Sequence, residues 1–200
     1  MTMTILDACR VIDQLRDDAI VVCTMGSMNA LDQLPPRPMT IACVPLMGGA
    51  ASLGLGLALA QPGRKVFVLD GDASLLMELG GLVSVAQAAP SNFFHFLFDN
   101  GVQFAGLGNL ATPGRQCTNF VGLATAAGYH AAHRLTSLDD LREDLAQILR
   151  GSSPAMIQLV VGHDKPLLGS SHPSVEMTDG RFTRMGDELR KTRAHLGIAG

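Results

Sequence analysis

Fully apolar runs alternate along the chain with segments whose apolar residues repeat at helical spacing. Such runs are typical of strands buried on both faces of a parallel sheet. Six strands are predicted, at residues 19–24, 40–44, 66–69, 93–98, 129–134 and 155–161. Helices are predicted at residues 4–18, 49–60, 75–88, 119–127 and 138–150, with a short helix opening at 25–29 and a glycine-rich loop at 101–114. The pattern therefore predicts an α/β fold, a three-layer αβα sandwich around a six-stranded parallel sheet.

Composition and charge narrow the class of protein. Of the 200 residues, 47% are apolar and only 16% are charged, so one domain with a sizeable core is expected. We expect this domain to cover residues 1–200, with 163–200 as a C-terminal extension, and to hide part of its apolar surface in an interface. A net charge of −3 without a basic run argues against a nucleic-acid partner.

Neither a membrane span nor an export signal is expected. The longest uncharged stretch, residues 44–60, is rich in glycine and a strand pattern follows it at once, which favours a buried helix. Residues 1–10 lack the basic and apolar regions of a signal peptide. The four cysteines form no Cys-x-x-Cys pair, so we expect reduced, buried thiols in a cytoplasmic protein.

Acid and amide residues follow two consecutive apolar runs. Gly71-Asp72-Ala73-Ser74 comes directly after the run at 66–69, and Asp99-Asn100-Gly101 comes after the run at 93–98. Because the carboxyl ends of parallel strands meet at one edge of a sheet, we expect Asp72 and Asn100 to lie close together. A carboxylate and an amide oxygen suit Mg²⁺ that keeps its other positions for phosphate oxygens and water.

The residues beside Asp72 suit a diphosphate. Gly71 and Ala73 allow the backbone to turn sharply and to approach a ligand. Ser74 offers a hydroxyl and an amide at the start of the next helix, where anions are favoured. Taken alone, Asp72 would more simply be an acidic residue in an ordinary strand–turn–helix, so the metal-site interpretation depends on Asn100, 28 positions further along the chain.

These two clusters resemble the signature of thiamine-diphosphate enzymes, in which Gly-Asp-Gly is followed, after a span in the high twenties, by Asn-Asn. Ala73 stands for the second glycine and Asp99 for the first asparagine. The resemblance implies the family's diphosphate-binding fold, with thiamine diphosphate and Mg²⁺ as cofactors. It also implies that Asp72, Asn100 and the main-chain carbonyl of Val102 are the metal ligands, and we count the adjacent Gln103 among the cofactor-binding candidates.

Residues 44–60 resemble a second part of the same family, its Gly-X-Met/Leu-Gly-X-Ala loop and the small-residue helix after it. The resemblance makes Met47, 25 residues before Asp72, the apolar wedge that holds the cofactor bent. It makes the carbonyl of Pro45 the acceptor for the amino group of the pyrimidine ring. Met47 and Pro45 are therefore the catalytic candidates, although Met47 alone would more simply be a gap-filling core methionine.

Three other glycines need separate interpretation. The turn at Gly26 and Ser27 loosely matches a place where the family binds phosphate, and an ordinary turn explains it equally well. Gly54 and Gly56 do not make a dinucleotide fingerprint, because they lie inside a predicted helix rather than between a strand and a helix. We expect close helix packing to explain them.

The histidines show no metal-ligand spacing with a carboxylate partner. Structural roles are therefore expected for His95, His130 and His133. His163 and His172 lie after the last predicted strand, where they could face the active site.

Within the family, the motifs are most similar to those of phosphonopyruvate and sulfopyruvate decarboxylases, specifically the diphosphate-binding half or beta subunit. The ending is similar as well, from residues 165–168 through His172-Pro173 to Arg181-Phe182, which enters a closing helix. Gly49 departs from these enzymes, which carry histidine at this position near the reacting carbon. The identity of the 2-oxo acid therefore stays open.

The implied activity is that of a lyase, the decarboxylation of a 2-oxo acid. In this family the activating glutamate belongs to a separate pyrimidine-binding domain, and only about twenty residues precede the first predicted strand. We therefore expect that domain on another polypeptide, in a dimer or an α2β2-type hetero-oligomer. Two alternatives stay open: a carboligase of the acetolactate-synthase type, and a thiamine-diphosphate-binding module without catalytic activity.

Overall fold

The computed structural model describes residues 2–106, 108–163 and 179–198, in which helices cover both faces of a parallel sheet. The strands are β1 Ile20–Cys23, β2 Thr40–Ala42, β3 Val66–Gly71, β4 Phe93–Asp99, β5 Val102–Gln103, β6 Leu110–Ala111, β7 Ala131–Leu135 and β8 Ala155–Val160. The helices are α1 Ile5–Gln14, α2 Met25–Leu31, α3 Ala50–Ala60, α4 Asp72–Met77, α5 Gly81–Ala88, α6 Phe120–Ala127, α7 Leu138–Ile148 and α8 Asp179–His195. The predicted three-layer αβα architecture is confirmed.

The sheet has the order β2-β1-β3-β4-β8-β7, and all six strands are parallel. Its strands are largely apolar because both faces are covered: α1, α2 and α7 contribute to the core on one side, and α3, α5 and α6 to the core on the other. β3 and β4 are adjacent, with Gly71 opposite Phe98. The polar residues that follow these two strands therefore meet at one edge of the sheet.

The segment predicted as one helix at 75–88 forms two helices. α4 begins at Asp72, immediately after β3, and ends at Met77, while α5 begins at Gly81. Between them Glu78 leaves helical geometry, with a φ of −134°. The adjacent Gly80 and Gly81 favour this break, since glycine costs about 1 kcal/mol more than alanine inside a helix.

The predicted loop at 101–114 contains a short antiparallel hairpin, in which Val102 pairs with Ala111 and Gln103 with Leu110. The prediction missed it because each strand is only two residues long, which is too short for a periodic pattern. The hairpin begins directly after β4. It therefore stands at the edge where the polar clusters meet.

The two glycines of α3 differ in their surroundings. A Cβ atom on Gly54 would lie 2.2 Å from Cγ2 of Val68 on β3, so close packing explains this glycine, as predicted. A Cβ atom on Gly56 would have nothing within 4 Å, so the same explanation is wrong there.

The free edge of β2 is covered by α8, the closing helix that the sequence predicted. The backbone amide of Ala42 donates to Oε2 of Glu188 at 2.6 Å, which satisfies a group that an uncovered edge strand would leave unpaired. Residues 165–168 and 172–173, also named from the sequence, lie outside the described residues, as does the side chain of every residue from 179 to 182.

The cysteines are free thiols, as predicted, but they are not all buried. Cys9, Cys23 and Cys43 are buried, whereas Cys117 is exposed in the segment after β6 because the hairpin carries it away from the core. Burial raises the pKa of the Cys43 thiol to about 11, which keeps it protonated at neutral pH. No helix in the described ranges is long and apolar enough to cross a membrane.

Candidate functional site

The structure brings Asp72 against the turn that contains Asn100. Asp72 is the first residue of α4 and its side chain is buried, with 2% exposure. The backbone amide of Gly101 donates to Oδ2 of Asp72 at 3.1 Å, so the peptide group that follows Asn100 is in direct contact with the carboxylate. Oδ1 of Asn100 accepts a hydrogen bond from the amide of Val102 at 2.9 Å, which fixes the amide oxygen at the same turn.

Asp72 lies in surroundings that disfavour its charge. Burial raises the pKa of this carboxyl from about 3.8 to about 6, and the nearby Asp99 raises it further, although the amides of Ala73 and Gly101 and the hydroxyl of Thr112 act in the opposite direction. A divalent cation would neutralise this local negative charge. The hard oxygen donors at the two strand tips fit Mg²⁺, and the side-chain oxygens of Asp72 and Asn100 would hold it.

Asp99, the acid in place of an asparagine, is turned towards the neighbouring strand. Its Oδ2 accepts a hydrogen bond of 2.7 Å from Nε2 of Gln158, a buried residue of β8. The hydrogen bond holds the Asp99 carboxylate in one direction. Sequence reasoning missed Gln158, because the sequence does not show that β8 pairs with β4 or that this polar residue faces the end of β4.

The loop that carries Met47 is joined to the turn that carries Asp72. The amide of Gly48 donates to Oγ of Ser74 at 3.1 Å, across 26 residues of sequence. Gly48 has a φ of +88°, and a Cβ atom there would lie 2.9 Å from the side chain of Glu78, so only glycine suits this position. The two motifs that the sequence placed in one site are therefore in contact.

Met47 is half-exposed, at 50%, and the neighbouring Pro45 and Leu46 are also exposed. A methionine that fills a gap in the core would be buried, so this alternative does not describe Met47. The side chain stands at the carboxyl edge of the sheet, on the same loop that bonds Ser74.

The other candidates of the first turn and the hairpin are placed as follows. The amide of Gly71 donates to Oδ1 of Asp70 at 2.8 Å, and Ala73 is partly buried beside Asp72. Val102 is 5% exposed and opens β5, with Gln103 after it, so both lie next to the Asn100 turn.

The structure favours an ordinary turn for Ser27. Its hydroxyl is buried and donates to the carbonyl of Leu69 at 2.7 Å, and it also caps α2 by accepting from the amide of Thr24 at 3.1 Å. Gly26, beside it, lies inside α2 and is partly buried against Ile5. The hydroxyl of Ser27 is thus already hydrogen-bonded to backbone groups of the fold.

A buried polar network lies beneath the Asp72 turn. His95 in β4 is fully buried, with Nε2 3.4 Å from Oδ2 of Asp70 and Nδ1 3.3 Å from the hydroxyl of Tyr129. The structural role predicted for His95 is confirmed, since it is buried and both of its ring nitrogens have partners within the fold. Asp70 is the last buried residue before the Gly71-Asp72 turn, and burial raises the pKa of Tyr129 above its ordinary value.

Two further histidines have partners outside the Asp72 turn. Nδ1 of His130 is 2.7 Å from the carbonyl of Ser153, which agrees with a structural role. Nδ1 of His163 is 3.3 Å from Nδ2 of Asn109, so this histidine faces the hairpin side of the edge. His172 lies outside the described residues. Within the described ranges no three His, Cys, Asp or Glu side chains form a metal cluster, and the candidate site depends instead on amide and carbonyl oxygens.

Large apolar side chains are exposed around this edge of the sheet. They come from the loop before α3, the end of α4 and the β5–β6 hairpin, and each is about half exposed. These residues are Leu46, Met47, Met77, Phe104 and Leu110. Such an apolar rim around buried oxygen donors is typical of a surface that another molecule covers.

Residues 21–159 match the family model of the thiamine pyrophosphate enzyme, C-terminal TPP binding domain. The chain is 40% identical over 153 residues to a phosphonopyruvate decarboxylase of Streptomyces viridochromogenes, covering 76% of this chain and 38% of that protein. It is 34% identical over 172 residues to the sulfopyruvate decarboxylase subunit beta of Methanothermobacter thermautotrophicus, covering 84% of this chain and 89% of that subunit.

A solved structure has the same fold. It is the thiamine diphosphate-dependent 4-hydroxybenzoylformate decarboxylase of Rhodococcus jostii RHA1, with a TM-score of 0.68 at 20% identity, over 82% of this chain and 33% of that one. The chain spans 38% and 37% of the length of the two phosphonopyruvate decarboxylases it matches.

Proposed function

The chain belongs to the family of C-terminal TPP-binding domains of thiamine pyrophosphate enzymes, and from that premise we propose that it is the diphosphate- and Mg²⁺-binding part of a 2-oxo acid decarboxylase. The observation that carries the proposal is the contact between the Gly101 amide and the Asp72 carboxylate, which joins the two strand tips into one oxygen site. Thiamine diphosphate supplies a nucleophilic carbon and an electron sink when it is bound.

The residues of the chain would bind the cation, the diphosphate and the rings of the cofactor. We propose that Asp72, Asn100 and the carbonyl of Val102 hold the cation, while residues 71–74 and Gln103 lie along the diphosphate. Met47 stands half-exposed where an apolar wedge between two rings would be needed, and Pro45, two residues before it, offers its carbonyl. Gly26 completes the diphosphate side as a point of close backbone approach, with Ser27 as its support.

The active site is completed by a partner that supplies the activating glutamate. The relatives with which the chain aligns over most of their length are named as beta subunits of sulfopyruvate decarboxylase, which supports a hetero-oligomer of the α2β2 type. The apolar rim of Leu46, Met77, Phe104 and Leu110 supports the same proposal, because a partner domain would cover it. Residues 1–200 would then act as one cofactor-binding domain, with residues 163–200 as an extension of it.

Cofactor retention gives the first test. The chain is titrated with thiamine diphosphate in the presence and absence of Mg²⁺ by isothermal calorimetry, and Asp72→Ala is compared with Asp139→Ala, in which an exposed aspartate of α7 is changed. We expect Mg²⁺-dependent binding for the wild type and for Asp139→Ala, and loss of that dependence for Asp72→Ala. Equal retention by Asp72→Ala would refute the site.

Activity gives the second test. The chain is combined with a candidate pyrimidine-domain polypeptide of similar size, sought among the products of neighbouring genes, and a panel of 2-oxo acids is offered, including pyruvate, phosphonopyruvate and sulfopyruvate. We expect release of CO₂ and an aldehyde from one of them with both chains together. A product with a new carbon–carbon bond would instead indicate a carboligase, and cofactor binding without turnover of any acid would indicate a non-catalytic module.

A further inference from the structure

Thr112 has a buried hydroxyl that the fold itself does not use. The residue is 2% exposed, and within the part of the chain that the structure describes its Oγ1 has no partner of ordinary hydrogen-bond geometry. A buried polar group without a partner costs about 1–3 kcal/mol. Valine has nearly the same shape and would avoid this cost, so the hydroxyl requires an explanation other than packing.

The position of Thr112 supplies that explanation. Thr112 directly follows β6, and its amide donates to the carbonyl of Gly101 at 3.0 Å. The amide of the same Gly101 donates to Oδ2 of Asp72 at 3.1 Å. One residue, Gly101, therefore links Thr112 to the carboxylate through its carbonyl and its amide, and the Thr112 hydroxyl is close enough to Asp72 to favour the charged form of that carboxyl.

We propose that Thr112 is a positioning residue, whose hydroxyl donates to the Asp72 carboxylate and fixes the direction in which that carboxylate faces the divalent cation. This inference rests on the proposed function, in which Asp72 is a metal ligand.

Counting donors shows why a third one matters. A carboxylate has about four lone-pair positions. The amides of Ala73 and Gly101 take two of them. A hydroxyl from Thr112 takes a third and leaves one for the cation. With two donors only, the carboxylate can rotate, and the cation must select one orientation among several. Partners that hold a ligating carboxylate in this way typically change metal affinity by about 10–100-fold when they are removed.

The test uses two substitutions at this position and one elsewhere. Thr112→Val removes the hydroxyl and keeps the shape, and Thr112→Ser keeps the hydroxyl. The matched control is Thr125→Val on α6, where an exposed threonine donates to the carbonyl of Val121 at 2.9 Å. Asp72→Ala shows how the Mg²⁺ titration changes when a metal ligand itself is removed.

Each chain is titrated with Mg²⁺ at saturating thiamine diphosphate, and the thermal unfolding temperature is followed with and without the ligands. For Thr112→Val we expect about 10–100-fold more Mg²⁺ at the midpoint. Its unfolding temperature without ligands should change little, because the Thr112 hydroxyl has no hydrogen bond of ordinary geometry among the described residues of the chain without ligands and valine keeps the shape of the side chain. Thr112→Ser and Thr125→Val should titrate close to the wild type. A role in packing alone would instead lower the unfolding temperature of Thr112→Val in the absence of ligands.

The outcomes separate this inference from the proposed function. If Asp72→Ala loses the Mg²⁺ dependence and Thr112→Val keeps the wild-type midpoint, the role of Thr112 is refuted and the metal site stands. If Thr112→Val is less stable without ligands and Thr112→Ser does not restore the midpoint, Thr112 is structural and the inference fails. If the wild-type chain shows no Mg²⁺ dependence, the proposed function fails and the inference fails with it.

Discussion

Replacing Asp72 by asparagine should stabilise the chain in the absence of cofactor and abolish its response to Mg²⁺. The side chain is buried, and burial is the main reason that its pKa is raised from about 3.8 to about 6. At pH 7 the folded chain must therefore hold a charge that its surroundings disfavour. One pKa unit corresponds to about 1.36 kcal/mol, so the charged form costs the fold up to about 3 kcal/mol.

The sign of the pH dependence follows from the raised pKa. The folded state binds the Asp72 proton more tightly than the unfolded state, whose aspartate titrates near 3.9. This group therefore favours the folded state below about pH 4, and its contribution is lost as the pH rises through about 6. Asparagine has no charge to lose. We expect Asp72→Asn to exceed the wild type by up to about 3 kcal/mol at pH 7, and the difference to shrink towards pH 4.

The assay is urea unfolding of the chain without ligands, followed by circular dichroism at several pH values between 4 and 7. Asp139→Asn on α7 is the matched control, because its side chain is 82% exposed and it should give no comparable gain. Mg²⁺ with thiamine diphosphate should stabilise the wild type, more strongly at pH 7 than at pH 5, and should leave Asp72→Asn unchanged. A variant that is less stable than the wild type at pH 7, or a difference that does not vary with pH, would refute the argument.

Three further predictions follow from the packing. Met47→Ala should change the unfolding free energy of the isolated chain by less than about 0.5 kcal/mol, since the side chain is half-exposed, while it lowers decarboxylase activity with the partner. A loss of about 2–5 kcal/mol of unfolding free energy would instead be that of a core methionine. His95→Leu leaves the Asp70 carboxylate buried without its partner and should cost about 3–5 kcal/mol by urea unfolding, and a cost below about 1 kcal/mol would refute the network. Gly54→Ala should cost about 1–3 kcal/mol, because its Cβ atom would overlap Val68, whereas Gly56→Ala on the same helix should stabilise by up to about 1 kcal/mol; thermal unfolding of the pair tests both signs.

The main elements of the fold follow from local sequence. Six apolar runs predicted the six parallel strands to within two residues at each end, because burial on both faces leaves a largely apolar pattern. α7 begins after Ser137, which together with Asp140 three residues later makes the capping-box pattern of a helix start, and both hydrogen bonds of the box are present. The break between α4 and α5 was missed, since apolar spacing continues across Glu78 and only the adjacent glycines mark the interruption.

The position of the site was also available from the sequence, because polar residues that follow two neighbouring parallel strands must meet at the same edge. What the sequence could not supply is which groups from elsewhere in the chain turn towards them. Gln158 faces Asp99 because β8 lies beside β4. Asp70 reaches His95 because the register of β3 and β4 puts His95 opposite Val68, two residues before Asp70 on the same face of the sheet.

Thr112 shows most clearly which contacts the sequence does not predict. Forty residues separate it from Asp72, and it has no motif of its own. It reaches the carboxylate only because two pairs of residues form a hairpin and return the chain to Gly101. Residue spacing along the chain therefore determined the strands and the two oxygen donors at their tips. The tertiary structure decided the hydrogen bonds that orient those donors, since these depend on contacts between segments that are distant in sequence.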